Sequence, residues 1–150
     1  MYKKIAIVFL VFWSFVANSQ NKLSEQFPVF PNCEGKQSKE LEICFYNEVQ
    51  TFVYNNFQVP ENLKSAKTVV VVLFEVNENG NFKVQYVDAN DESLVAESKR
   101  VFSKLPKIKP STYAGNPSYS KYSIRIPIPL QNPAEIPFLE ATPSKNSVSS

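Results

Sequence analysis

TVVVVLFEV (68–76), NENGN (77–81) and FKVQYVD (82–88) decide the fold. Two runs rich in β-branched and aromatic residues flank a turn whose Asn79-Gly80 pair supplies the positive φ angles a tight hairpin needs. SLVAESKRVFSKL (93–105) follows, with apolar residues at Leu94, Val95, Val101, Phe102 and Leu105 in helical spacing. Leu105-Pro106 stops it, and YSKYSIRIPI (119–128) resumes strand alternation. Such a unit predicts a small sheet with helices on one face and an edge strand open to a partner.

Val69 to Val72 is continuously apolar, which predicts a strand covered on both faces or a central one. In the second strand, alternation puts Phe82, Val84 and Tyr86 on one side and Lys83, Gln85 and Val87 on the other. In the last, Tyr122, Ile124, Ile126 and Ile128 share a face, with Lys121, Ser123, Arg125 and Pro127 opposite. Pro127 and Pro129 cannot donate to a ladder, so this strand belongs at the rim of the sheet.

Upstream, FPVFP (27–31) interleaves proline with apolar residues and must run extended. Ser38 is the expected N-cap of a first helix, with Glu40 and Glu42 near its positive end. Leu41, Cys44, Phe45, Val49, Phe52, Val53 and Phe57 then form an apolar stripe that reads as core. Val59-Pro60 ends that helix.

The first residues address the compartment. Tyr2-Lys3-Lys4 precedes an apolar run from Ile5 to Val16 that is short for a bilayer span, and Ala17-Asn18-Ser19 offers a cleavage site. The expectation is a signal peptide at 1–19 and a mature protein in the periplasm, or at the outer membrane or cell surface. Lys3 and Lys4 account for the whole formal charge of +2, so the mature chain is formally neutral and has no electrostatic footprint for nucleic acid. After signal cleavage no membrane span is expected. The folded domain is expected over 26–130, and 131–150, with prolines at 133, 137 and 143, is expected to be a disordered tail or linker.

The chain has two cysteines, Cys33 and Cys44, and in an oxidising compartment an even pair points to a disulfide. The alternative puts Cys44 on the buried face as a small hydrophobe and leaves Cys33 free.

The chain contains no histidine, which removes His-dependent nucleophile systems and His-ligated zinc. Two cysteines cannot close a four-thiolate site. Glu40/Glu42 and Asp88/Asp91/Glu92 offer paired carboxylates, but each has a simpler reading at a helix N-terminus, with Asp91 or Ser93 capping the second helix. Residues 77–81 are too short for an EF-hand loop. Lys99, Arg100 and Lys104 read as cations that complement the negative end of the second helix, and Lys107 and Lys109 lie in an extended Pro-bounded elbow, so the group is not read as an anion or membrane-surface patch. No enzymatic activity, cofactor or metal is expected.

FPVFPNCEG (27–35), CFYNEVQTFVYNNFQVPENL (44–63), VVVLFEVNENGNFKVQYVDA (70–89) and the stretch 94–128 occur in an order that resembles the TonB C-terminal domain family, in the form widespread in Bacteroidetes. Glu97 and Arg100, Leu105-Pro106-Lys107 and the Gly115-Asn116-Pro117 turn belong to that likeness. The chain differs at Val59-Pro60, where the family has Tyr-Pro, and at Ala66-Lys67-Thr68, which lacks the family's glycine. A signal abutting the domain also replaces the transducer's inner-membrane helix and spacer. The resemblance implies an α+β domain with a small antiparallel sheet of about three strands and two helices on one face. It implies a non-enzymatic interaction module of the cell envelope whose last strand pairs with an envelope protein, an outer-membrane receptor or its plug. Carried over by position, the partner-binding strand comprises Tyr119, Lys121, Tyr122, Ser123, Ile124, Arg125 and Ile126. The same edge could pair with a second copy to give a homodimer. The alternative function is an N-terminal structural domain of a longer outer-membrane or gliding-associated surface protein.

Overall fold

The computed structural model describes residues 25–135. The expected signal peptide at 1–19 and all but 131–135 of the tail expected over 131–150 lie outside them. The order of elements is α1 (Ser38–Asn56), β1 (Thr68–Val76), β2 (Phe82–Asp88), α2 (Glu92–Phe102), β3 (Ser111–Tyr113), β4 (Asn116–Ser118) and β5 (Ser120–Ile128). β2, β1 and β5 form an antiparallel sheet in that order, and β3 and β4 form a two-stranded hairpin. Among the described residues the class is α+β, with two α-helices and a small antiparallel sheet of three strands.

The β1–β2 turn is built by its own side chains. Asn77 Oδ1 accepts from the main-chain N–H groups of Asn79 and Asn81, both at 3.0 Å, and Gly80 takes φ +79°. That is the left-handed conformation for which glycine is suited.

Both helices pack on one face of the sheet. Phe45, Val49 and Val53 of α1 and Leu94, Val101 and Phe102 of α2 are buried with Val70, Val72, Phe74 and Val76 of β1. Phe45 lies at the centre of an aromatic cluster: its ring centroid is 4.8 Å from Tyr122, 5.9 Å from both Phe27 and Phe30, and 6.5 Å from Phe74. Aromatic pairs at such separations add to what their burial contributes.

β1 is central but covered on one face only. Its residues alternate between buried and partly or well exposed, with Val69 and Leu73 on the open side. Of the two alternatives for Val69 to Val72, the central strand holds and coverage of both faces does not: α1 and α2 fill one side, and no described element covers the other. The alternation read in β2 is also corrected. The register shifts between Leu73 and Phe74, which pair with Tyr86 and Val84, so Gln85 is an extra residue. A bulge advances the side-chain alternation by one position. Phe82 and Val84 stay on the helix side, Val87 turns in, and Tyr86 turns out to 62% exposure.

Ser38 does not cap α1. It opens the helix at φ +51°, and the N-cap position falls to Gln37, whose side chain makes no capping bond. Asp91 caps α2, accepting from Ser93 N–H at 2.8 Å and from the Ser93 hydroxyl. α2 itself ends at Phe102, one turn short of the proline.

Cys33 and Cys44 form a disulfide with Cα atoms 5.8 Å apart. Cys33 is fully buried and Cys44 half-buried, the reverse of the free-thiol alternative. The bond ties the N-terminal segment to α1. That segment also pairs with the chain before and within β3: Gln26 exchanges both backbone hydrogen bonds with Thr112, and Val29 with Lys109. Beyond β5 the chain continues through a 3-10 turn at Pro133–Glu135 that packs against α1.

Candidate functional site: the β5 edge

β5 pairs with β1 along its whole length without a register shift, from Thr68 opposite Ile128 to Val76 opposite Ser120. Among the described residues no strand pairs with its other side. β2 is the opposite edge of the sheet, but its bulge at Gln85 breaks the regular row of main-chain groups that a visiting strand would need. β5, nine residues long, carries no bulge, and the one donor it lacks is the N–H of Pro127 near its end.

Its burial alternates strictly. Ser120, Tyr122, Ile124, Ile126 and Ile128 face the helices, while Lys121 and Arg125 are exposed and Ser123 and Pro127 half-exposed on the open face. Tyr119 precedes the strand and is exposed. Six of the seven sequence-predicted residues, Lys121 to Ile126, run consecutively along the edge and divide between two faces, which gives them different roles; Tyr119 lies outside the strand.

Pro127 fixes which main-chain groups point outward. In an antiparallel strand the N–H and C=O of one residue point to the same neighbour, and successive residues alternate. Pro127 sits in the ladder opposite Val69 yet has no N–H, so its position is one that faces away from β1. By the same parity Lys121, Ser123 and Arg125 present their main-chain donors and acceptors to the unpaired side, and Tyr122, Ile124 and Ile126 bond to β1.

The start of the edge is occupied. The Ser120 hydroxyl donates to Glu25 Oε1 at 2.7 Å and lies 2.8 Å from the Ser111 hydroxyl, which donates to the Ser118 carbonyl. Burial pushes the adjoining Tyr122 phenol above the ordinary tyrosine range, and it pushes that of Tyr46 up to about 12. Both rings remain neutral core members at any physiological pH. The accessible edge therefore runs from Lys121 to Pro127.

Beside its far half lies a cavity of about 140 Å³. Val53 and Tyr54 of α1, Ile124 and Ile126 of β5, and Leu130 with Pro133 supply its apolar walls. Arg125 and Pro127 line it too, so it extends around the strand from the helix face to the open face. Tyr54 and Leu130 had escaped the sequence reading. Tyr54 sits one residue past the core position Val53, and only tertiary packing brings residues 130–133 beneath it.

Two further charged pairs tie segments of the fold together. Glu97 accepts from Gln58 N–H at 2.6 Å and from Arg100, which also donates to the Asn56 carbonyl at 2.8 Å. Arg100 thus satisfies the C-terminal end of α1 rather than of its own helix. Its guanidinium, followed in effect by the Gln58 N–H, holds the Glu97 carboxyl below the usual glutamate value. Lys109 pairs with Glu34 at 2.7 Å and lowers its pKa through that hydrogen bond. Cys33, Cys44 and Glu48 bring three potential metal-ligand atoms within 4.8 Å, but both sulfurs are taken up in the disulfide. No helix among the described residues is long and apolar enough to cross a membrane.

Comparison with known proteins returns no matching family model, no matching curated protein and no matching solved structure.

Proposed function

We propose that this is an exported, non-enzymatic interaction module of the cell envelope, TonB C-terminal-like in kind, that binds another envelope protein by adding a strand to β5. The observation that carries the reading is the bulge-free β5 edge, bonded on one side and open from Lys121 to Pro127 on the other. Strand addition draws affinity from main-chain hydrogen bonds and selectivity from alternate side chains. The resemblance to the TonB C-terminal domain family supplies the envelope as the setting and an outer-membrane receptor or its plug as the partner.

The test is a pull-down from envelope extract with the mature protein and its Ser123→Pro variant, with captured proteins identified by mass spectrometry. An outer-membrane protein recovered by the first and lost with the second supports the reading. Equal recovery by both excludes the edge as the docking site.

A further inference from the structure

The β5 edge and the cavity beside it are continuous, and together they dictate the chemistry of an incoming strand. This inference rests on the strand-addition reading and goes beyond it. We propose that the preferred ligand is an extended segment of another protein in which an acidic residue lies between two aliphatic ones.

The argument follows from parity. Residues of a visiting antiparallel strand that bond to Lys121, Ser123 and Arg125 lie directly opposite them, so their side chains emerge on the same open face. Lys121 and Arg125 are exposed there, and neither forms a salt bridge among the described residues. Glu75 stands beside Lys121 in the neighbouring strand and offsets part of its charge, whereas the neighbour of Arg125 is Val71. Arg125 is therefore the stronger unneutralised cation, and a carboxylate opposite it is the complementary partner. The ligand residues on either side of that carboxylate fall opposite Ile124 and Ile126 and point to the helix side. There they meet the cavity walled by Val53, Tyr54 and Leu130, whose volume of about 140 Å³ admits an aliphatic side chain. The lining is mostly apolar, with Gln50, Gln131 and Arg125 as its polar members, so an aliphatic side chain loses less on entering than a polar one that reaches none of them.

The probes are fluorescein-labelled peptides of about nine residues, a length that matches the strand: one alternating Val with Glu, one Val with Lys, and one Ser with Glu. Binding is read by fluorescence anisotropy. The Val/Glu peptide is expected to bind about fivefold or more tightly than either other peptide. Arg125→Glu is expected to reverse the preference between the Glu and Lys peptides. Tyr54→Ala, on the exposed flank of α1, is expected to weaken the Val/Glu peptide and leave the Ser/Glu peptide unchanged. Equal affinity for the Glu and Lys peptides, a preference indifferent to Arg125→Glu, or no binding by any peptide overturns the proposal. Ser123→Pro separates the two levels. Loss of every peptide in that variant, with no charge preference in the parent, keeps edge addition and discards the ligand chemistry. Unchanged affinity in Ser123→Pro, with the preference still tracking Arg125, places the peptide elsewhere and discards both.

Discussion

Gly80 and Ile108 are joined backbone to backbone across 28 residues of sequence. The Ile108 N–H donates to the Gly80 carbonyl at 3.1 Å, and a Cβ on Gly80 would lie 1.7 Å from the Ile108 carbonyl oxygen. The hairpin turn and the segment after α2 therefore share a space that only a hydrogen atom can occupy.

Gly80→Ala is expected to cost about 3 kcal/mol or more, because neither backbone can yield without breaking the turn or the bond. Gly115 has a similar φ of +82° but nothing within 4 Å of its missing Cβ, so Gly115→Ala should cost only about 1 kcal/mol. Urea denaturation of the two variants compares a clash with conformational strain alone.

Reduction of the Cys33–Cys44 bond, or its replacement by two serines, is expected to destabilise the domain by about 3 kcal/mol in the chain-entropy view of an 11-residue separation. Calorimetry with and without reductant measures the shift. A difference below about 1 kcal/mol would mean that the backbone pairing of residues 26 and 29 already holds the segment in place.

Proline scanning of β5 tests the parity assigned from Pro127. Ser123→Pro should be tolerated at a cost of about 1 kcal/mol, since its N–H faces the open side. Ile124→Pro should cost about 3 kcal/mol or unfold the domain, since it removes a ladder bond and a buried side chain. Thermal melts of the pair decide it, and they also establish that Ser123→Pro is a folded control for binding experiments.

The Glu97–Arg100 contact should make stability depend on acid. The Glu97 pKa is lowered in the folded state, so its stabilisation is fully present above the ordinary glutamate value of 4.5 and is lost as pH falls through the lower folded value. Glu97→Gln is expected to lose about 1 kcal/mol at neutral pH and to show a flatter decline below pH 4.5. Denaturation midpoints from neutral pH to pH 3 check the sign.

The elements that could be read from the chain were those with local signals. The period of two in β5, the Asn-Gly turn and the helical spacing of Leu94, Val101 and Phe102 each reflect which side of a single element is buried. The Gln85 bulge left no such trace, because FKVQYVD satisfies alternation whether Tyr86 or Val87 turns inward; the partner strand decides. Ser38 has the composition of a cap but not the backbone angle. The pairing of residues 26 and 29 with 112 and 109 is likewise silent in sequence, since backbone bonds between distant segments impose no side-chain pattern. Of the candidate site, the strand was legible from its alternation and its prolines. The cavity was not, because three separate stretches of chain build it.

Phe27 packs 5.5 Å from Tyr122, and Gln26 is bonded to Thr112. A polypeptide leaving the ribosome amino end first presents its opening aromatic residues before all of their counterparts exist. Phe45 and Tyr46 of α1 can shelter Phe27 early, but Tyr122 and Thr112 arrive nearly last, so an interrupted synthesis product would leave Phe27 partly covered and open to whatever chaperone is at hand.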